Sequence, residues 1–293
     1  MDRRLLTTIY AWLLVLPAMV LLVAFTHYPT VATFWASFFS TARGRRPANF
    51  LGLDHYRRMI TDDPVFLQVV WNNFLYALVT IPLSIGIALL MALWVNERLA
   101  GRGLLRMAYF TPTVLPMVAA ANIWLFFYTP GFGLLNQIIA LFGGPDVNFL
   151  GSPETALWSV MAVSVWKEAG FFMIFYLAAL QSIPPSLKEA AKLEGASDFH
   201  YVRRIVLPLL MPTTLFVLVN AVIGAFRVVD HIVAMTGGGP SNASSLLLFY
   251  IYETGFKFWD TAYAAALTVV LLAVLITVSL LQVTVLDKRI HYR

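Results

Sequence analysis

The sequence predicts an all-α integral membrane protein with six transmembrane helices. The chain is 60% hydrophobic, has a mean hydropathy of +0.77 and carries 12% charged residues, whereas soluble domains contain about 25%. Six apolar segments are long enough for a helix to cross the hydrocarbon core, which takes about 20 residues. They cover residues 9–28, 69–95, 105–128, 155–180, 207–235 and 261–285.

The first segment follows a charged start, as the apolar region of a secretory signal peptide does. Arg3 and Arg4 precede the run "AWLLVLPAMVLLVAF". This run is long enough to span the membrane, and no clear A-x-A cleavage site follows it. We therefore predict an uncleaved first span.

The distribution of Lys and Arg predicts the orientation, because cytoplasmic loops of membrane proteins carry an excess of these residues. With the N-terminus inside, twelve of the twenty lie on the cytoplasmic side: Arg3, Arg4, Arg98, Arg102, Arg106, Lys188, Lys192, Arg203, Arg204, Lys288, Arg289 and Arg293. Six lie outside: Arg43, Arg45, Arg46, Arg57, Arg58 and Lys257. The first loop, which holds five of these six, departs from the rule. The other loops and the C-terminus agree, so we predict that both termini are cytoplasmic.

Composition and motifs argue against several other functions. The chain has no cysteine, which excludes disulfides, thiolate metal sites and thiol catalysis. Its five histidines lack metal-ligand spacing, and its basic residues form no tract for nucleic acid. The glycine-rich stretch "TGGGPSNASS" at 236–245 lacks the lysine and the spacing of a phosphate-binding loop. We therefore predict a tight turn there, no nucleotide, cofactor or metal site on this chain, and no enzymatic activity.

Charged residues within spans are energetically expensive and are candidates for function. Lys167 and Glu168 lie near the middle of the fourth segment. Because adjacent helical residues point about 100° apart, we expect one to face a polar cavity and the other a neighbouring helix. Arg227 and Asp230 are spaced i, i+3 on the fifth segment and could pair with each other.

Amide and aromatic side chains on the spans are further candidates for a solute pathway. Asn122 and Trp124 lie on the third segment, and Asn220 lies on the fifth. Aromatic faces together with amides suit a sugar or a polyol. They equally suit helix packing and interfacial belts, so both interpretations stay open.

The polar stretch "SLKEAAKLEGASDFHYVRRIVLPLLMP" at 186–212 predicts two short helices with a joint between them. Ser186 and Glu189 have the spacing of a capping box, and Gly195 can end a helix over 187–194. A second helix starts at Ser197 or Asp198 and runs to Pro208, which would mark the entry to the next span. Its apolar stripe consists of Phe199, Val202, Ile205 and Val206.

Helices of this length are marginal alone in water, because isolated helices need about 12 to 15 residues. A partner protein could receive the flat face formed by Leu187, Ala190 and Ala191. Alternatively, the helices could lie on the lipid headgroups, because basic side chains beside an apolar face also suit a membrane surface.

The segment "EAAKLEGASDFHYVRRIVLP" closely resembles the EAA loop in the membrane subunits of bacterial ABC importers. The residues that match its pattern are Glu189, Ala190, Ala191, Gly195, Ile205, Leu207 and Pro208. Glu194 stands where that family most often has Asp. Two flanking stretches, "VWKEAGFFMIFYLAALQSIPPSL" and "AFRVVDHIVAMTGGGPSNASSLLLFYIYETGF", resemble the MalF-like permeases for carbohydrates and glycerol 3-phosphate.

The resemblance implies that this loop is a coupling helix docked on a separate cytoplasmic ATPase. The implied coupling residues are Glu189, Ala190, Ala191, Glu194, Gly195 and Ala196. It also implies a second permease subunit, two ATPase subunits that hold ATP and Mg²⁺, an extracytoplasmic solute-binding protein, and a place among the lipids of a bacterial cytoplasmic membrane.

The resemblance further implies import of a mono- or oligosaccharide, with glycerol 3-phosphate or a glycerophosphodiester as the alternative. An ion-coupled secondary transporter is the alternative of a different class, and such proteins usually carry internal repeats and an ion-coupling carboxylate. The expected organisation is a first span with an extracytoplasmic segment (1–70), a core permease domain (71–283) and a cytoplasmic tail (284–293).

Overall fold

A computed structural model describes residues 3–96 and 101–286 of the chain. Within these ranges the ordered elements are helices, and the only β contacts are two isolated bridges, Phe39 with Phe50 and Arg43 with Arg46. The predicted cytoplasmic charges Arg98, Lys288, Arg289 and Arg293 lie outside the described residues, as does most of the predicted tail.

Fifteen α-helices and three π-helical turns are described. The α-helices are α1 Arg3–Leu22, α2 Tyr28–Ala36, α3 Asp54–Thr61, α4 Pro64–Asn96, α5 Arg102–Val114, α6 Met117–Tyr128, α7 Leu134–Leu141, α8 Ala156–Ser182, α9 Pro185–Leu193, α10 Asp198–Tyr201, α11 Leu207–Leu209, α12 Met211–Phe226, α13 Asp230–Met235, α14 Leu247–Tyr252 and α15 Thr261–Leu286. The π-helical turns are Val23–His27, Val202–Val206 and Glu253–Lys257.

Four of the described helical stretches are long and apolar enough to cross a membrane unaided. They are Tyr10–Ala36, Pro64–Asn96, Ala156–Ser182 and Thr261–Thr284. Two further stretches meet the same criterion only as bent pairs, namely Gly103–Val114 with Met117–Tyr128 and Asp198–Leu209 with Met211–Phe226. The described chain therefore has four candidate spans, or six if each bent pair crosses once.

The predicted span over 105–128 is not one continuous helix, because α5 and α6 meet at an angle of 103°. Leu115 is extended, with φ −68° and ψ 134°, and Pro116 follows it. Proline disfavours helical geometry in the residue before it and has no N–H to donate to the carbonyl four residues earlier. The helix therefore ends at Val114 and restarts at Met117.

The predicted fifth segment, 207–235, also differs from the structure. The chain is helical through Pro208 and bends by 66° after Leu209, so Pro208 does not mark the entry. The π-helical turn Val202–Val206 precedes this proline, and its wider hydrogen-bond register accommodates a residue without an N–H. At its far end, α12 stops at Phe226 and α13 begins at Asp230.

The described chain divides into two compact units. The first comprises the residues up to Pro64 together with Ile251–Leu272. Asp260 is its polar centre, because its Oδ1 accepts a hydrogen bond from Thr41 Oγ1 at 2.6 Å and its Oδ2 lies 3.5 Å from Arg58 Nη1. The Arg58 guanidinium also lies over the ring of Tyr263, 4.3 Å from its centroid.

The second unit comprises Val65–Tyr250 and the residues from Ala273 onward. Its core forms around α8, which buries Phe172, Met173 and Tyr176. Ala88 on α4 and Ala221 on α12 belong to the same buried cluster. Small residues at these positions allow the helix backbones to approach closely, which brings α4 and α12 against the polar turn of α8 described next.

Candidate functional site

The ammonium group of Lys167 points to the broken end of α5. Its Nζ donates to the carbonyl oxygen of Pro112 at 3.1 Å and to that of Thr113 at 3.2 Å. A third hydrogen bond goes to the carbonyl oxygen of Leu115. A lysine has three N–H donors, so carbonyl groups of this chain engage all of them.

Glu168 points away from Lys167, as the angular offset of adjacent helical residues predicts. Its carboxylate borders a cavity of about 10 Å³ between α4, α8 and α12. The cavity is also lined by the hydroxyl-bearing residues Tyr76, Thr80, Ser84 and Ser164. Across the described residues, the carboxylate has no protein hydrogen-bond donor. The polar cavity that we expected beside one of the two charges is therefore small and lies beside Glu168.

A buried hydrogen-bonded chain borders this cavity. Tyr76 on α4 donates from its hydroxyl to Ser164 Oγ on α8 at 2.5 Å. Ser164 Oγ lies 2.9 Å from Nε2 of His231 on α13. Sequence reasoning treated His231 as an ordinary residue and did not single out Tyr76 or Ser164. Their only sequence signal was polarity within apolar segments.

The three remaining amide and aromatic candidates do not converge on one cavity. Trp124 packs against Trp166 of α8 with ring centroids 5.6 Å apart, and its buried Nε1 has no hydrogen-bond partner within residues 3–96 and 101–286. Asn122 and Asn220 are exposed, and each donates to the carbonyl oxygen four residues earlier in its own helix. Of these three residues, Trp124 contacts the turn of α8 that carries Lys167 and Glu168, through the ring of Trp166.

The predicted helical spacing of Arg227 and Asp230 is wrong. Arg227 is the residue that ends α12, with φ −104° and ψ 24°, and Asp230 is the first residue of α13. The described part of the chain contains no ion pair between them. The break between the two helices removes the i, i+3 geometry that would have paired them.

The helix of the predicted coupling loop begins earlier than expected. α9 starts at Pro185, Pro184 is its N-cap, and no side chain caps it, so the predicted capping box of Ser186 and Glu189 does not form. Proline is favoured in the first helical turn because its missing N–H is not needed there. Sequence spacing alone did not distinguish these two starts.

The end of α9 confirms the prediction that Gly195 ends this helix. Its φ is +75°, and the N–H of Ala196 donates to the carbonyl of Ala191 at 2.9 Å. This is the bond that closes a Schellman motif, which favours glycine at its left-handed position. Ser197 then starts α10 as predicted, because its Oγ accepts from the N–H of His200 at 3.3 Å.

The surface of this loop differs from the predicted flat face. Ala191 is buried within the chain, whereas Glu189, Ala190 and Glu194 are exposed and Ala196 is half-buried. The largest apolar exposure belongs to Leu193 and Phe199, whose exposed fractions are 90% and 73%. Phe199 therefore does not join Val206, which is buried, in one inward stripe.

The glycine-rich turn is confirmed as a tight turn and is held by α4. Gly237, Gly238, Ser241 and Asn242 all have positive φ. Asn72 Nδ2 of α4 donates to the carbonyl oxygens of Asn242 at 2.9 Å and Ser245 at 3.0 Å. Sequence reasoning missed Asn72. The signal that could have found it is the pair of consecutive asparagines in "WNNF", within an otherwise apolar span.

Comparison with known proteins places this geometry in a family. Residues 65–292 match the family model described as binding-protein-dependent transport system inner membrane component. The chain is 36% identical to the trehalose/maltose transport system permease protein MalF of Thermococcus litoralis, over 83% of each chain. It is 32% identical to the sn-glycerol-3-phosphate transport system permease protein UgpA of Agrobacterium fabrum, over 97% of each.

A solved structure shows the same fold. It is a bacterial ABC transporter involved in the import of the acidic polysaccharide alginate, and a chain of it superposes with a TM-score of 0.87 at 24% identity. The match covers 98% of this chain and 99% of that one. The family match extends over α4 to α15, which include the polar turn of α8, the α9 loop and the glycine-rich turn. The chain therefore belongs to the binding-protein-dependent transport system inner membrane components, the permease subunits of ABC importers.

Proposed function

We propose that this chain is a sugar-translocating permease subunit that couples to a cytoplasmic ATPase through the turn formed by α9, Gly195 and α10. The observation that carries the proposal is the exposure of Leu193 and Phe199 on a loop rich in charged residues. Two large apolar side chains exposed on neighbouring short helices favour a surface that a partner covers.

The geometry of this turn suits the transmission of force. α9 is nine residues long and is closed by Gly195, and α10 starts three residues later at Asp198. The helical stretch that contains α10 continues to Leu209, where the chain bends into α12. A displacement applied to α9 would therefore reach α12 through a short connection. We assign Glu189, Ala190, Ala191, Glu194, Gly195 and Ala196 to this coupling element.

The proposed assembly contains one further permease subunit, two ATPase subunits that hold ATP and Mg²⁺, and an extracytoplasmic solute-binding protein. Six spans, counting each bent pair as one, would place both termini in the cytoplasm and residues 71–283 in the permease core. Cysteine labelling suits this naturally cysteine-free chain. A cysteine at position 192 should react in inside-out vesicles only, and labelling from outside the cell would contradict this topology.

A neutral sugar is favoured as the solute over glycerol 3-phosphate. The relatives named above include permeases for trehalose/maltose and for sn-glycerol 3-phosphate. The three donors of Lys167 are engaged by carbonyl groups, so this ammonium is not available to bind a phosphate. One observation favours glycerol 3-phosphate. Arg227 has no carboxylate partner in the described part of the chain and could therefore bind an anion.

Reconstitution tests the proposal. Proteoliposomes with this chain, its second permease and the ATPase should take up radiolabelled maltose or another sugar only with internal ATP and an external solute-binding protein. We expect genes adjacent to the chain's own to encode these components. Uptake by this chain alone, driven by an ion gradient, would instead support a secondary transporter. Binding of the solute-binding protein to glycerol 3-phosphate and not to sugars would favour the second candidate.

A further inference from the structure

The break between α5 and α6 exposes backbone carbonyl groups in the interior of a candidate membrane span. In a continuous helix the carbonyl of Pro112 would accept from residue 116, but that residue is proline and has no N–H. The extended Leu115 turns the chain away before the next turn can form. Hydrocarbon supplies no hydrogen-bond donors, so such carbonyls need a donor from the protein.

Lys167 supplies one N–H donor for each of three such carbonyl groups. Its three N–H groups meet the carbonyl oxygens of Pro112, Thr113 and Leu115. The end of a helix also carries partial negative charge, which favours a cation there. Charge and hydrogen-bond geometry therefore both match an ammonium ion, whereas a neutral side chain has no charge and at most two N–H donors.

The backbone of α8 is held against α5 close to this contact. Gly170, three residues after Lys167, approaches the carbonyl oxygen of Tyr109 so closely that a Cβ at this position would overlap with it. Thr113 Oγ1 also donates to the carbonyl oxygen of Lys167 at 3.4 Å. The ammonium group therefore extends from a fixed stretch of α8, and its position is determined by helix packing.

We propose that the end of α5 is a cation site that the chain fills with its own Lys167, and that this ammonium is a positioning residue that sets the bend between α5 and α6. In transporters with discontinuous helices, the C-terminal ends of half-helices bind Na⁺ or protons. Here a covalently attached ammonium takes that position. The inference rests on the proposed function only where its effect on transport is concerned.

The bend itself can be measured without any partner. One spin label on α5 at position 104 and one on α6 at position 126, both exposed sites, should give a narrow distance distribution in the otherwise wild-type chain. Lys167→Met, which keeps the length and removes the charge and donors, should broaden the distribution or shift it. An unchanged distribution in Lys167→Met would overturn the inference.

Chemical rescue identifies the ligand chemistry. Lys167→Ala removes three carbons and the ammonium group, a volume that n-propylammonium can refill. Propylammonium should narrow the distribution in Lys167→Ala and have no effect on Lys167→Met, whose side chain fills the space. Tetramethylammonium is the matched control because it has charge but no N–H. Failure of propylammonium, or equal rescue by tetramethylammonium, would contradict a site that needs three donors.

The transport assay separates this inference from the proposed function. In the reconstituted importer, Lys167→Met should lower the maximal uptake rate by about tenfold, the factor expected from a lost hydrogen bond to a charged group. The solute concentration at half-maximal rate should stay the same, because the ammonium does not face the solute. If wild-type liposomes show no ATP-driven uptake, the proposed function fails. If wild type transports and Lys167→Met matches it, the positioning role fails.

Discussion

Two glycine-containing turns of the second unit have similar backbone geometry, but one is buried and the other is exposed. Gly195 and Gly238 have φ of +75° and +81°. The turn at Gly238 is packed into the chain, with Ser244 and Ser245 fully buried and Asn72 bonded to two of its carbonyls. The turn at Gly195 is open and leaves Leu193 and Phe199 exposed. A turn that is buried and bonded to a neighbouring helix supports the fold, whereas one that leaves apolar surface uncovered is available to a partner.

The largest effect on the fold is expected from Gly238→Val. A Cβ at this position would lie 2.5 Å from Cε1 of Phe249, and the left-handed backbone adds strain. Strain of about 1–2 kcal/mol and overpacking of about 1–3 kcal/mol together predict a loss of about 2–5 kcal/mol. Thermal unfolding of the purified protein in detergent should show it as a clearly lowered Tm.

The matched control for this substitution is Gly195→Val. Nothing lies within 4 Å of a Cβ placed there, so only the backbone strain of about 1–2 kcal/mol remains. The two variants should therefore separate: Gly238→Val fails to fold or melts early, while Gly195→Val folds and loses transport. Equal stability of the two would contradict the distinction between a packed turn and an open one.

A smaller loss of stability is expected from Asn72→Leu. Two carbonyls would lose their donor, and only the bond to Ser245 is fully buried, where an unsatisfied group costs about 1–3 kcal/mol. Asn220→Leu is the control, because its exposed amide bonds only within its own helix. Thermal unfolding should give a clearly lower Tm for Asn72→Leu than for Asn220→Leu. The reverse order would show that α4 does not hold the glycine-rich turn.

Glu189→Lys should leave the fold intact and disturb the coupling to the ATPase. The side chain is exposed, does not cap α9 and lies beyond its first turn, so the cost to stability should be small, because the helix dipole acts mainly within that turn. We expect normal membrane insertion and Tm, with loss of solute-stimulated ATP hydrolysis in the assembled importer. Wild-type hydrolysis by this variant would remove Glu189 from the coupling element.

The smallest effect on the chain itself is expected from Phe199→Ser. This ring is 73% exposed, so the isolated subunit should melt at the wild-type temperature. Burial of the ring against a partner would contribute about 1.5–3 kcal/mol, which predicts ATPase binding weakened by at least about tenfold. Phe132→Ser is a control with 79% exposure on a different loop. Equal ATPase binding by both variants would mean that Phe199 is not in the interface.

The sequence predicted the helices well where one segment had one conformation. The fourth segment, expected over 155–180, is α8 Ala156–Ser182, and the sixth, expected over 261–285, is α15 Thr261–Leu286. Hydropathy alone could not predict the break at Leu115, because apolar residues continue on both sides of it. The signal was present in Pro116, whose effect on the preceding residue depends on backbone sterics and is independent of hydropathy.

The candidate site could be predicted only in part, because some of its features are local and others depend on how the helices break and pack. Gly195 could be predicted because a left-handed helix end needs glycine, which is a local requirement. The partners of Lys167 could not, since its three carbonyls become available only when α5 breaks and α8 packs beside it. The expected pairing of Arg227 with Asp230 failed for the same reason, because it assumed a helix that the structure interrupts.

The most direct test of the central claim is protection of the α9 turn by the ATPase. A cysteine at position 193, where Leu193 is 90% exposed, should react quickly with a maleimide in the purified subunit. A cysteine at position 141, where Leu141 is 83% exposed, provides the control. Addition of the ATPase subunit should slow labelling at 193 by at least about tenfold and leave 141 unchanged. Undiminished labelling at 193 in the assembled importer would contradict the assignment of this turn to ATPase coupling.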